Sequence, residues 1–119
     1  MKEFMFIFTG PTYDELNMSA EEAQSQMMKW FSWMDDLKAK GLYVEGRPLL
    51  PDSKRLTGVN KVVTDGPFAE SKELVGGYLI VKAKDFKQAV EAAKGFPDFE
   101  LNGTVEVREC VDLTGQYND

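Results

Sequence analysis

The sequence predicts an α+β fold: a split βαβ sheet with both helices on one face, elaborated by a hairpin. Three observations carry this. Two short runs, 4–8 and 78–81, are apolar at every position, as strands covered on both sides are. A long helical segment opens on a capping box at Ser19. The elements follow the order strand, long helix, three strands, short helix, strand, with no internal repeat and no linker, so residues 1–119 read as a single domain.

Each element has its own signature. In the first strand, Phe4, Phe6 and Phe8 share one face and Met5 and Ile7 the other, and Thr9-Gly10-Pro11-Thr12 ends it. Tyr13 to Met18 reads as loop. Ser19-Ala20-Glu21-Glu22 then starts a helix that runs to about Lys40, with Gly41 closing it. Its expected buried stripe is Ala23, Met27, Phe31, Met34 and Leu37, at spacings of three and four. Met28, Trp30 and Trp33 lie off that stripe. They pack either under the Tyr13 loop and the C-terminal tail, or against a cavity or another chain.

Leu42 to Leu50 reads as the second strand, with Gly46 and Pro48 marking an edge or a bulge. Arg55 to Thr64 reads as the third and Gly76 to Ala83 as the fourth. Asp85 caps a short helix with Phe86, Ala89, Val90 and Ala93 on one face, ended by Gly95 and Pro97. Thr104 to Val111 is the last strand, with Val105, Val107 and Val111 on one side and Glu106 and Arg108 on the other. Leu113 to Asp119 is a tail. Two helices cover one sheet face only. The other is apolar and must meet something, so a homodimer with sheets face to face is expected.

Composition narrows the function. Acidic residues outnumber basic ones by 20 to 14, a net charge of −6 that disfavours a nucleic-acid partner. No run is long enough to cross a bilayer or to form a signal-peptide core, and one cysteine, Cys110, makes no internal disulfide; the expected setting is the cytoplasm. There is no histidine. That removes Ser-His and Cys-His nucleophile pairs and most zinc sites, and leaves Cys110 without an activating base. No cofactor or metal is expected, because Gly10, Gly76-Gly77 and Gly103 fit no phosphate loop and Asp65, Glu70 and Glu73 fit no oxygen-ligand spacing.

The stretch Val63-Thr64-Asp65-Gly66-Pro67-Phe68 joins a strand to a charged segment, and Gly76-Gly77-Tyr78 opens the next strand. Asp-Gly-Pro is strong turn punctuation, and it sets a carboxylate and the Phe68 ring a few residues apart. With Glu70, Lys72, Glu73, Gly76, Gly77 and Tyr78, this motif resembles that of the YCII-related, or DGPF-domain, family. Gly46, Leu49, Pro51, Ala89 and Glu106-Val107-Arg108 extend the resemblance from Phe4 to about Asp112. The resemblance implies a ferredoxin-like α+β barrel that dimerises through its sheets, with acid/base chemistry on small molecules from an aspartate and a nearby histidine. The matching aspartate is Asp65; the histidine is missing here.

Two readings of Asp65 stand. In one it lies at the mouth of a helix–sheet cleft and exchanges protons with a carbonyl- or lactone-type molecule. In the other it holds the backbone of its own turn, and the protein is a non-catalytic homodimeric module. Arg47, Arg108 and Lys61 are the candidate cations for a carboxylate or enolate, against a bland role in surface pairs with Glu45 or Glu106. Phe68 and Tyr78 are candidate ligand contacts, with Tyr78 and Tyr43 offering phenols.

Overall fold

A computed structural model describes residues 1–67 and 74–115. Among these described residues, six strands and two helices follow one another as β1 (Lys2–Thr9), α1 (Ala20–Ala39), β2 (Tyr43–Pro48), β3 (Ser53–Thr57), β4 (Val62–Gly66), β5 (Val75–Ala83), α2 (Phe86–Ala93) and β6 (Thr104–Glu109). A 3-10 turn over Pro97–Leu101 links α2 to β6. Four strands form one antiparallel sheet in the order β2-β5-β1-β6. The units β1-α1-β2 and β5-α2-β6 therefore interlock, each with a strand of the other between its own two. That is the ferredoxin-like arrangement of the expected α+β class.

β1 lies at the centre because its two faces are both apolar. Phe4, Phe6 and Phe8 point under the helices with Leu79, Val81 and Ala83 of β5, and all six are buried. Met5 and Ile7 point to the uncovered face, where they are half-buried. The expected end of β6 is corrected by the structure: the strand stops at Glu109, Val111 is exposed, and Cys110 continues only one bond, from its N–H to the Glu3 carbonyl.

The third strand is corrected too. Residues 53–66 are not one strand but a hairpin, β3 paired with β4 from Ser53–Gly66 to Thr57–Val62. Its reversal falls at Gly58-Val59-Asn60-Lys61, where Gly58 and Lys61 have φ of 77° and 55°. Glycine adopts that left-handed backbone without strain, and it breaks what looked like a continuous run. Every residue from Ser53 to Asp65 is exposed, so the hairpin stands off the body. The Cα radius of gyration, 16.2 Å, exceeds the roughly 13.5 Å of a compact chain of this length, as a projecting arm requires.

Helix α1 starts where its capping box predicts. The Ser19 hydroxyl accepts from the Glu22 N–H at 3.0 Å and the Glu22 carboxylate accepts from the Ser19 N–H at 2.9 Å, which holds the Glu22 carboxyl below its usual range. Its buried face, however, is rotated from the expected stripe. Gln26, Trp33 and Leu37 are buried and Trp30 is half-buried, whereas Met27 and Phe31 are exposed. The reason is ring area: the two indoles bury more apolar surface than the methionines and turn the helix toward Phe6, Phe8 and Phe96. Helix α2 is capped by Asp85, which accepts from the Gln88 N–H at 2.8 Å, and it buries Ala89 and Ala93 while Phe86 and Val90 stay largely exposed.

Trp33 donates its indole N–H to the Ala92 carbonyl at 3.1 Å, so its ring lies against the end of α2. A Cβ built on Gly95 would fall about on that ring, with its Nε1 2.5 Å away. Gly95→Ala is thus expected to cost about 1–3 kcal/mol by overpacking. Gly76, with nothing within 4 Å of a built Cβ, is the matched control, and its alanine variant stays within about 0.5 kcal/mol. Urea denaturation of the two variants checks the contrast.

Candidate functional site

Where β1, β2 and β5 meet the loop after β1, the layers part and leave a cavity of about 430 Å³. The floor is nearly bare backbone. Gly46 on β2 lies opposite Leu79 and Gly77 on β5 opposite Pro48, and a Cβ on Gly77 would meet the Arg47 carbonyl oxygen at 2.8 Å. On the far side Gly10 and Gly103 approach so closely that a Cβ on Gly10 would be 3.0 Å from the Gly103 Cα. The roof is the side of α1 that carries Met27, Phe31 and Met34. This explains the exposure of Met27 and Phe31: they line the cavity rather than fill it.

Rigid rings form one wall. Phe8 stacks on Phe96 at 5.1 Å between centroids, and Trp30 meets both edge-on at 5.0 and 5.3 Å. Behind them sits a polar corner built on Asp98. The Tyr13 hydroxyl donates to Asp98 at 3.0 and 3.1 Å from its two oxygens, Trp30 Nε1 donates to the Asp98 Oδ2 and to the Tyr13 oxygen at 3.2 Å, and Gln26 Nε2 donates to Asp98 Oδ1 at 2.7 Å and to the Pro97 carbonyl at 2.8 Å. Elements far apart in sequence converge here: the loop after β1, two turns of α1, and the 3-10 turn. Burial, then the adjoining Asp98 charge, pushes the Tyr13 phenol far above its ordinary value of 10.0.

The residues expected to form a site are dispersed. Arg47 and Tyr78 are register partners on β2 and β5 and both border the cavity. The Tyr78 hydroxyl donates to Glu45 at 2.8 Å, a bond that raises its pKa, and Arg47 Nη1 donates to the Gly46 carbonyl at 2.6 Å. Arg108 pairs with Met5 on β6, at the opposite edge of the sheet and roughly 14 Å from β2 by strand spacing. Asp65 lies on the hairpin, away from the residues that line the cavity, in an exposed ion pair with Lys54 at 2.7 Å. Phe68, like Glu70, Lys72 and Glu73, falls outside the described residues. Lys61 occupies the hairpin turn, and Tyr43 packs against the core with Lys38 over its ring. Cys110 is half-buried, its thiol pushed up by burial and by Glu3 and Glu109. No group of acidic or cysteine side chains among the described residues is arranged to hold a metal ion.

Comparison with known families decides the chain's relationship. The model of the YCII-related domain matches residues 5–114. The chain belongs to the YCII-related family. Its architecture agrees with the dimeric α+β barrel fold of that family. No curated protein matches the chain. None of the described helices of this YCII-related domain is long and apolar enough to cross a membrane.

Sequence reasoning passed over Asp98, Gln26 and Tyr13. A signal was present: an aspartate set between Phe96 and Phe99, just past a helix end, needs donors if its neighbours are buried. The Tyr13 proton is held by native contacts, so the phenol's contribution to stability is intact below its ordinary pKa and is lost as pH rises through the raised native value. An ultraviolet-monitored alkaline titration is therefore expected to show one tyrosine ionising last, and Tyr13→Phe removes that last step.

Proposed function

We propose that this YCII-related protein binds a small, largely apolar molecule in the cavity beneath α1. One observation carries the reading: about 430 Å³ of space bounded by rigid aromatic rings and glycine backbone, with a polar corner at Asp98. Sites for small molecules have this size and this balance of surfaces. Asp65, bound to Lys54 across the hairpin, serves in this reading as a brace of the β3–β4 pair rather than as an acid or base. The single half-buried thiol suits a reducing cytoplasm.

The neutral dye N-phenyl-1-naphthylamine tests the cavity. Saturable binding with a blue shift is expected, and Met34→Trp, which places an indole in the space, weakens it about tenfold or more. Equal binding by the variant, with its fold intact by circular dichroism, defeats the reading.

We further propose that the protein is a homodimer with its sheets face to face, because the uncovered face is self-complementary. Two rows cross it: Glu45–Ile80–Met5–Arg108 and Arg47–Tyr78–Ile7–Glu106. An apolar centre is thus edged by one acid and one base on each side. A two-fold axis along the strands sets Arg108 against the partner's Glu45; an axis across them sets it against the partner's Glu106. In either case Arg108→Glu puts like charges together, and the dimer is expected to weaken about tenfold or more in sedimentation equilibrium, with Glu45→Arg added restoring it under the first axis and Glu106→Arg under the second. A wild-type chain that sediments as a monomer at micromolar concentration ends the proposal.

A further inference from the structure

The polar corner of the cavity has acceptors to offer and no donors. Each donor there is already spent. The only O–H of Tyr13 goes to Asp98, the only indole N–H of Trp30 is shared between Asp98 and the Tyr13 oxygen, and the amide of Gln26 has two N–H groups that go to Asp98 and to the Pro97 carbonyl. Acceptor capacity is not spent. The four contacts on the carboxylate come from three hydrogens, two of them shared and so weakly held, and the Tyr13 oxygen keeps one of its two lone pairs. The corner therefore presents lone pairs and one negative charge to whatever enters.

We infer that the cavity takes a guest whose buried end carries a hydrogen-bond donor, and best a protonated amine attached to an apolar or aromatic body. This rests on the cavity being a binding site at all. Three features agree with it. The Asp98 carboxylate gains a charge-assisted bond from an ammonium, of the kind roughly twice as strong as a neutral one. Phe8, Trp30 and Phe96 line the cavity beside that corner, and aromatic rings attract cations. A guest carboxylate or enolate would meet the opposite: a fixed like charge and no N–H or O–H free to receive it.

The experiment is a titration of the full chain, followed by tryptophan fluorescence and calorimetry at physiological salt, with 2-phenylethylammonium, 2-phenylethanol and 3-phenylpropionate, and with their homologues longer by two methylenes. The amines are expected to bind about tenfold or more tighter than the carboxylates, with the alcohols between. Asp98→Asn keeps the shape of the corner, removes its charge and adds a donor, so the amine preference falls below about threefold. Because the whole-chain charge of −6 changes little in that variant, the comparison separates the corner from the general field of the protein. Tyr13→Phe leaves the carboxylate in place and retains the preference, and it reads the same question if the asparagine variant does not fold. Carboxylates that bind as tightly as amines overturn the inference while leaving the cavity a binding site. A preference lost in Tyr13→Phe and kept in Asp98→Asn overturns the assignment to Asp98. Failure of every probe, with the naphthylamine dye also excluded, removes the binding site itself.

Discussion

The packing of Phe8 against Trp30, Trp33 and Phe96 sets the distance between the sheet and its long helix. Phe8 belongs to the central strand, the two indoles to α1, and Phe96 to the turn after α2, so one contact ties three elements. Phe6 extends it along the strand, stacked on Trp33 at 6.2 Å. Aromatic pairs of this kind add about 0.5–1.5 kcal/mol each beyond the area they bury. Their larger effect is geometric. Rings this wide hold the helix off the sheet at the end of β1, where the strand no longer supplies a side chain to fill the gap. The cavity is the space the rings keep open and the glycines leave unfilled.

The same contact brings polar groups inward with it. Turning α1 to bury its indoles also buries Gln26, one turn before Trp30 on the same face, and an indole N–H needs a partner once it leaves water. Asp98 answers both, with Tyr13 closing the set, and no buried side-chain polar atom among the described residues lacks a partner. A network in which every member is satisfied holds its elements in one arrangement. Here it latches the loop after β1 and the 3-10 turn onto the helix, and so keeps the inner end of the cavity in shape.

Much of the fold was legible because it depends on local signals. Ser19 with Glu22, Asp85 with Gln88, and Gly95 before Pro97 each act within four residues, and the helices begin and end where these signals fall. The doubly apolar Phe4 to Phe8 run gave the central strand. What was hidden depends on competition between distant groups. Helical spacing marks Met27 and Phe31 as core as readily as Trp30 and Trp33; only the presence of Phe8 and Phe96 decides between them. Asp98 was invisible for the same reason, since its donors come from residues 72 and 85 positions away. Asp65 is the reverse case. A conspicuous turn sequence draws the eye to its carboxylate, yet the hairpin before it carries that carboxylate off the body, and Gly58 and Asn60 were the residues that marked the reversal.

The standing-off of the β3–β4 hairpin has a consequence for how the molecule opens. A two-stranded ribbon with little apolar cover is marginal by itself, and its ten strand residues, apart from Gly66, are exposed on the chain considered alone. Its backbone bonds can break without disturbing Phe8 or the rings around it. The ribbon is then a separate cooperative unit whose amides exchange with solvent far sooner than those of β1 and β5. The Asp-Gly-Pro sequence, the most recognisable part of the chain, sits at the end of that ribbon.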